Sequence, residues 1–353
     1  MFAGRRVLVT GHTGFKGSWL CTWLHNLGAE ISGFALPPAT DPSLFTQLGL
    51  SGKINSLTGD IRSTPEVDEV VARTDPEIVF HMAAQSLVRV SYREPVNTWQ
   101  TNVQGTVHLL EALRRRNRPC VVVVITSDKC YAQDSQNHTF REEDPLGGHD
   151  PYSASKAATE LVAHSYRQAF FANTGITLAT ARAGNVIGGG DWALDRLIPD
   201  CMRALSRETP ITIRNPRAVR PWQHVLEPLS AYLCLAAALH GTNGSNPLCD
   251  GYNIGPGPSG NRTVADVVEE VAKHWPGNWE AAEDADAPHE APLLQLDITK
   301  ARNVLGWIPR WDFATSVQRT VHWYRQVLPS PTQSTANREL QQTEEDIAAY
   351  VTS

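Results

Sequence analysis

Short apolar runs alternate along this chain with stretches whose apolar positions recur every three or four residues. Arg6 to Thr10, Glu30 to Leu36, Pro76 to Phe80, Val121 to Ile125 and Ile176 to Arg182 read as strands. Val121 to Ile125 is apolar enough to be buried on both faces. Helical patterns follow over Ser18 to Leu27, from about Pro95 to Leu113, and from Pro151 onward. Strand and helix in alternation predict an α/β fold: a doubly wound parallel sheet with helices on both faces. Past residue 190 the pattern loosens. Arg196 to Arg207 reads as a helix, Ile211 to Arg214 as an edge strand, Thr263 to Val271 as a helix and Phe313 to Val327 as an amphipathic helix. An acidic stretch around Glu280 to Glu290 reads as a surface loop, and the polar chain from Ser330 onward as a peripheral tail.

A chain of 353 residues can bury a large core, as two domains or as one domain with a lobe. Its net charge of −6 argues against a nucleic-acid backbone as partner. No run of about 18 apolar residues occurs, which argues against a membrane span. The first residues pass through Arg5-Arg6 into a strand, without the apolar stretch of a signal peptide, so a cytoplasmic protein is expected. Six cysteines are scattered with no Cys-x-x-Cys spacing, pointing to neither a metal site nor a disulfide framework.

The candidate chemistry sits at strand ends. Gly11-His12-Thr13-Gly14-Phe15-Lys16-Gly17 lies between the first strand and its helix. That order builds a phosphate cradle, in which backbone N–H groups and a helix N-terminus meet a pyrophosphate. A tight turn in any strand–helix unit is the bland alternative, and the strand–helix context favours the cofactor reading. The second strand ends in Phe34-Ala35-Leu36-Pro37-Pro38, with neither an acid for ribose hydroxyls nor an arginine for a 2′-phosphate. NAD and NADP therefore both stay open at that point. Thr126-Ser127-Asp128-Lys129 leaves the carboxyl end of the central strand, where open α/β sheets place their ligands. Tyr152 and Lys156 share one helix face, and an ammonium beside a phenol lowers its pKa, so that phenolate can take a proton from a sugar hydroxyl. That spacing alone is common by chance, and its weight depends on the dinucleotide site around it. Gly188-Gly189-Gly190 marks a loop just past a strand end, placed to wrap cofactor and substrate. Arg214, and Arg220 beside Trp222, offer fork donors for a diphosphate, whereas Arg203, Arg207 and Arg217 read as surface arginines.

The Gly-x-x-Gly-x-x-Gly turn with Tyr-x-x-x-Lys resembles the extended short-chain dehydrogenase/reductase superfamily. Longer stretches narrow the resemblance: Gly11 to Trp19, Thr126 to Tyr131, Arg182 to Trp192 and Arg220 to Pro228 together resemble the CDP-D-glucose 4,6-dehydratase family. The likeness runs from residue 1 to about residue 326 and includes Pro288-His289-Glu290-Ala291. It implies a Rossmann-type NAD(P)-binding fold with a smaller carboxyl-terminal substrate-binding lobe. Residues 1–186 plus about 218–258 would form the dinucleotide domain, about 187–217 plus 259–329 the nucleotide-sugar lobe, and 330–353 a polar tail. NAD is the implied cofactor and CDP-D-glucose the implied substrate. A homodimer or homotetramer is the implied assembly, pairing through helices near Thr98 to Arg114 and Ser153 to Thr174. Carried over as cofactor-binding are Gly11, Thr13, Gly14, Phe15, Lys16 and Gly17 of the turn, with Asp60 and Ile61 at the adenine. Ala83, Ala84, Gln85, the supporting Asn102, Thr126, Tyr152, Lys156 and Ala183 complete that set. Ser86, Asn185, Leu197, Ile198, Arg214 and Arg220 are expected at the substrate.

The reaction so implied is an internal redox cycle that loses water and gives CDP-4-dehydro-6-deoxy-D-glucose, a precursor of deoxysugars such as those of lipopolysaccharide O-antigen. Hydride leaves C4 as Tyr152 takes the hydroxyl proton, with Ser127 holding that hydroxyl. The C4 ketone acidifies C5–H, the C6 hydroxyl is eliminated, and hydride returns to C6. Asp128 is expected as the acid, kept protonated by a raised pKa. Lys129 stands where sister dehydratases have Glu, and is either the C5 base or an electrostatic stabiliser of the enolate. Another NDP-sugar 4,6-dehydratase or a 4-epimerase is the alternative, and a non-catalytic dinucleotide sensor the alternative of a different class. Epimerases lack the acid–base pair after the Ser or Thr, and a sensor normally loses the Tyr or the Lys.

Overall fold

The structure is a computed structural model that describes residues 1–132, 138–282, 295–328 and 337–353. The predicted sheet is present, with two further members. Its strands are β1 (Arg6–Thr10), β2 (Glu30–Ala35), β3 (Asn55–Thr58), β4 (Ile78–His81), β5 (Cys120–Ile125), β6 (Ile176–Ala183) and β7 (Gly251–Ile254). They lie in the order β3-β2-β1-β4-β5-β6-β7, all parallel, with Val7 registered against Ile31 on one side and Ile78 on the other. The strand order reverses at β1, so a crevice opens beyond the carboxyl ends of β1 and β4.

Alternation along the strands divides the interior in two. Val7, Val9, Val121 and Val123 face one core, with Trp19, Leu24, Tyr232 and Trp323; Leu8, Val122 and Val124 face the other, with Val70, Leu109, Leu113 and Phe171. Each face is covered by helices, as the two-sided burial of β5 requires. The helical stretch from Pro95 to Arg116 is continuous but widens into a π turn over Gln100–Gln104, which carries the buried Asn102.

Beyond β6 the chain makes short pairings rather than a second sheet. Val186–Ile187 pairs with Gln223–His224, Val219–Pro221 with Asn261–Thr263, and Ile211–Ile213 with Trp279–Ala281. The last pairing corrects the reading of Glu280 as loop: it lies in a strand. The rest of that acidic stretch, with Pro288 to Ala291, lies outside the described residues.

The carboxyl-terminal segment corrects the expectation of a peripheral tail. Arg338–Thr352 is a helix that buries Gln342, Thr343, Asp346, Ile347 and Tyr350 along one stripe. The Tyr350 hydroxyl donates to Glu227 at 2.7 Å, Trp323 Nε1 donates to Thr343 Oγ1 at 3.0 Å, and the Tyr350 ring meets Trp23 edge-on at 5.7 Å. Polar Gln342, Thr343 and Asp346 share that stripe with Ile347 and Tyr350, which join the main core, and hydrogen bonds to buried partners complete its seat.

Candidate active site

Beyond the ends of β1, β4, β5 and β6 lies a cleft of about 750 Å³. Gly11 leaves β1 with φ +76°, and a Cβ there would stand 2.7 Å from the Ala83 amide nitrogen, so the turn requires glycine. Gly14 caps the Phe15–Asn26 helix without a side-chain hydrogen bond, and the first turn of that helix carries no acid. Open N–H groups with no competing carboxylate fit the pyrophosphate of a dinucleotide. Thr13 Oγ1 donates to the Leu36 carbonyl at 2.9 Å, fastening this turn to the end of β2. Phe15, Lys16 and Gly17 line the same wall, and Asp60, held by Arg62 at 2.9 Å, lines it beside the buried Ile61.

Ala83, Ala84 and Gln85 line the facing wall. Asn102 stands behind it, which changes the expectation of a cofactor contact. Its Oδ1 accepts from the Gln85 N–H at 2.8 Å, while Nδ2 donates to the Gln85 carbonyl at 3.0 Å and to Ser155 Oγ at 2.9 Å. Asn102 thus pins the wall to the Pro151–Tyr166 helix that carries Tyr152 and Lys156.

At the end of β5, Thr126 and Ser127 lead into a single tight turn over Asp128–Cys130, with Ser127 Oγ accepting from the Lys129 N–H at 3.3 Å. Ser127 Oγ donates to Asp128 Oδ1 at 2.9 Å. Asp128 is 2% exposed and its Oδ2 has no partner. A Cβ on Gly184 would stand 2.9 Å from that oxygen, so the glycine leaves the carboxyl its room. Burial pushes the Asp128 pKa up, against the charge of Lys129, the Ser127 hydrogen bond and the charges of Arg220 and Lys16. That is the direction a proton donor needs at neutral pH.

Tyr152 departs from expectation. Burial pushes its phenol up to about 12, and the Asp128 charge adds to this; the Ser127 hydroxyl and the Arg196 charge oppose it. Lys156 Nζ donates to the Ile125 carbonyl at 3.2 Å, and burial lowers its own pKa to about 8. A four-residue spacing shows that two groups share a face but not how dry that face is, and here dryness dominates.

Ser86, Ala183, Asn185, Leu197, Ile198, Arg214 and Arg220 line the remaining part of the cleft, with Arg220 buried and Arg214 paired to Asp195 at 2.9 Å. Arg196 was missed from sequence. Its guanidinium bonds Asp191 at 2.8 Å and approaches Ser86 Oγ at 3.5 Å, and its charge acts on both Lys16 and Tyr152. Arg196 reads in sequence as an ordinary charge before a helix; the signal was Asp191 at the end of the glycine triplet.

The sequence profile of a family described as GDP-mannose 4,6 dehydratase matches residues 8–320. The chain is 48% identical over 329 residues to a CDP-glucose 4,6-dehydratase of Salmonella typhimurium strain LT2, covering 91% of each chain. It is also similar to the solved UDP-glucose 4-epimerase of Thermus thermophilus in complex with NAD, at TM-score 0.75 and 25% identity, covering 90% of this chain and 98% of that one. The solved dTDP-glucose 4,6-dehydratase of Bacillus anthracis in complex with NAD shares the fold at TM-score 0.75 and 24% identity, covering 90% and 96%.

Proposed function

The chain belongs to the family described as GDP-mannose 4,6 dehydratase, and from that premise we propose how its cleft converts a nucleotide sugar. The protein is a lyase that removes water from CDP-D-glucose to give CDP-4-dehydro-6-deoxy-D-glucose, with NAD as cofactor. One observation carries the dehydratase reading beyond simple sugar oxidoreduction: the buried Asp128 carboxyl, one oxygen unpartnered and its pKa raised, next to Ser127 at the redox centre. Epimerisation at C4 needs no such acid; expulsion of the C6 hydroxyl does.

The glycine turn Gly11–Gly17 and the facing Ala83–Gln85 wall would hold NAD, which would supply hydride acceptance at C4, hydride return at C6 and a positive nicotinamide ring beside the Tyr152 phenol. Tyr152 takes the C4 hydroxyl proton while Ser127 orients that hydroxyl. Asp128 gives its proton to the departing C6 oxygen, a role that its raised pKa favours. Lys129, adjoining Asp128 and lining the cleft, either takes the C5 proton or stabilises the enolate by charge. Arg196, Arg214 and Arg220 hold the diphosphate, and the described residues of about 187–217 and 259–328 form the nucleotide-sugar lobe of this scheme. Val96, Trp99, Leu161 and Phe170 are exposed on the two helical stretches proposed to pair protomers, which supports a homodimer or a homotetramer built from it. No described helix is long and apolar enough to cross a membrane. All six cysteines are free, which supports a reducing cytoplasm as the compartment. A deoxysugar destined for O-antigen is part of the same proposal.

The test is incubation with CDP-glucose, dTDP-glucose, UDP-glucose and GDP-mannose, with and without added NAD, followed by mass. Loss of one water from CDP-glucose is expected. Mass-neutral conversion would point to an epimerase, and dinucleotide binding without turnover to a sensor.

A further inference from the structure

One turn beyond Lys156, on the same helix, Glu160 is buried with its side chain 1% exposed against Arg182 at 6%. Four contacts converge on this helix face. Thr126 Oγ1 donates to Glu160 Oε1 at 2.5 Å, and Thr180 Oγ1 and Arg182 Nη2 donate to Oε2 at 2.7 and 2.9 Å. Lys156 Nζ donates to the carbonyl of Ile125, the residue before Thr126. Two side chains four residues apart therefore grip two consecutive residues of the β5 exit, the stretch that runs directly into Ser127 and Asp128. Arg182 extends the grip, donating to the Tyr131 hydroxyl at 2.7 Å, which in turn donates to Asn253 at 2.6 Å. The turn holding Asp128 and Lys129 is thus fastened at both ends, by Thr126 before it and Tyr131 after it.

We propose that Glu160 is a positioning residue for the reaction: it sets the register between the Tyr152–Lys156 helix and the Ser127–Asp128 turn, and its carboxylate is the counter-charge that keeps Lys156 an ammonium. This rests on the roles proposed above for Tyr152 and Lys156. The groups acting on Lys156 come from four elements: Glu160 on its own helix, Cys130 on the turn after β5, His81 at the end of β4, and Lys16 on the helix after the glycine turn. Burial holds His81 neutral and the Cys130 thiol protonated, and Lys16 is a cation. Glu160 is the carboxylate of the group. Burial works to raise its pKa, but the charge of Arg182 and the hydrogen bonds from Arg182, Thr126 and Thr180 outweigh it, so it stays ionised.

The experiment is Glu160→Gln in the full chain with saturating NAD, with the single-turnover rate of C4 oxidation, a step in which Asp128 moves no proton, measured against pH on CDP-glucose and a thermal melt alongside. Lys156 works as the cation, so activity falls as pH rises through its pKa. Without the counter-charge that alkaline limb should move down by about one pH unit from a Lys156 pKa of about 8, so oxidation is about twofold slower at neutral pH and the loss approaches tenfold on the alkaline side, with KM within about twofold. An unshifted limb in a folded Glu160→Gln enzyme would overturn the proposal. A buried Arg182 without its partner can prevent folding, so Glu160→Gln is also made with Arg182→Met, which removes both charges. A folded double variant with the unaltered pH profile would equally overturn it. Lys156→Met separates the two readings: full activity there would sink the role of Lys156 itself, whereas an inactive Lys156→Met with an unshifted Glu160→Gln limb would sink the Glu160 proposal alone.

Discussion

The two ends of the cleft treat charge in opposite ways. At the reaction end Asp128 is 2% exposed, Tyr152 8% and Lys156 5%, and burial is the largest cause of every pKa shift among them. At the proposed nucleotide end Arg220 is buried, but Arg214 and Asp195 form an ion pair whose side chains are 35% and 48% exposed. In the dry end a proton sits where the fold places it, because moving it costs several pKa units of solvation. In the wet end, water and salt stand in for any partner that leaves. Side chains that break and make bonds belong in the first setting, and side chains that must release a product in the second. Removing one proton-transfer group should therefore stop a chemical step, whereas removing one nucleotide-end charge should only weaken binding.

The largest expected effect is that of Tyr152→Phe. Losing the group that takes the C4 proton should slow single-turnover oxidation about a thousandfold, with KM little changed. Stopped-flow absorbance of the reduced cofactor reads this directly, and oxidation within tenfold of the parent would break the contrast between the two ends. Asp128→Asn comes second. Oxidation at C4 should survive within a few-fold, while water loss slows about a hundredfold and a 4-keto hexose accumulates in quenched samples. The pH dependence has a definite sign. A raised Asp128 pKa carries the acid form to higher pH than an ordinary carboxyl, and that form is lost as pH climbs through the pKa, so elimination in the parent falls on the alkaline side. Asp128→Asn should flatten that limb; full product without trapped ketone would remove Asp128 from the acid role.

The same contrast explains what was legible beforehand. The glycine turn, the Thr126–Lys129 exit and the Tyr152–Lys156 pair are contiguous or evenly spaced, so a pattern of residues reports them. The strand–helix alternation that positions them is equally local, and β1, β2, β5 and β6 fall within a residue or two of where their apolar runs place them. Arg196 and Glu160 are of another kind: their importance lies in contacts with Asp191 and Ser86, or with Thr126, Thr180 and Arg182, on separate elements. Burial of the Tyr152 phenol was hidden for the same reason, since solvent exposure is a property of the packed cleft. The Arg338–Thr352 helix escaped because Gln342, Thr343 and Asp346 interrupt the apolar positions of its buried face, so that Thr343 and Tyr350 hydroxyls complete the docking that Ile347 and the Tyr350 ring begin.

The smallest expected effect tests the wet end. Arg214 already holds Asp195, so whatever it gains from a substrate diphosphate is offset by the pair it gives up. With both side chains more than a third exposed, the net contribution should be about 1 kcal/mol or less. Arg214→Ala should thus raise KM for CDP-glucose about threefold, leave kcat unchanged, and lose even that difference as salt is added. Part of the rise has a second source: Asp195, no longer neutralised, now repels the diphosphate. Adding Asp195→Ala to Arg214→Ala should therefore recover some of the lost affinity, a coupling that a double-mutant cycle measures. A fall in kcat of tenfold or more in Arg214→Ala would mean that this guanidinium grips the reacting complex more tightly in the transition state than in the ground state. The division between a dry end that does chemistry and a wet end that binds would then be drawn in the wrong place.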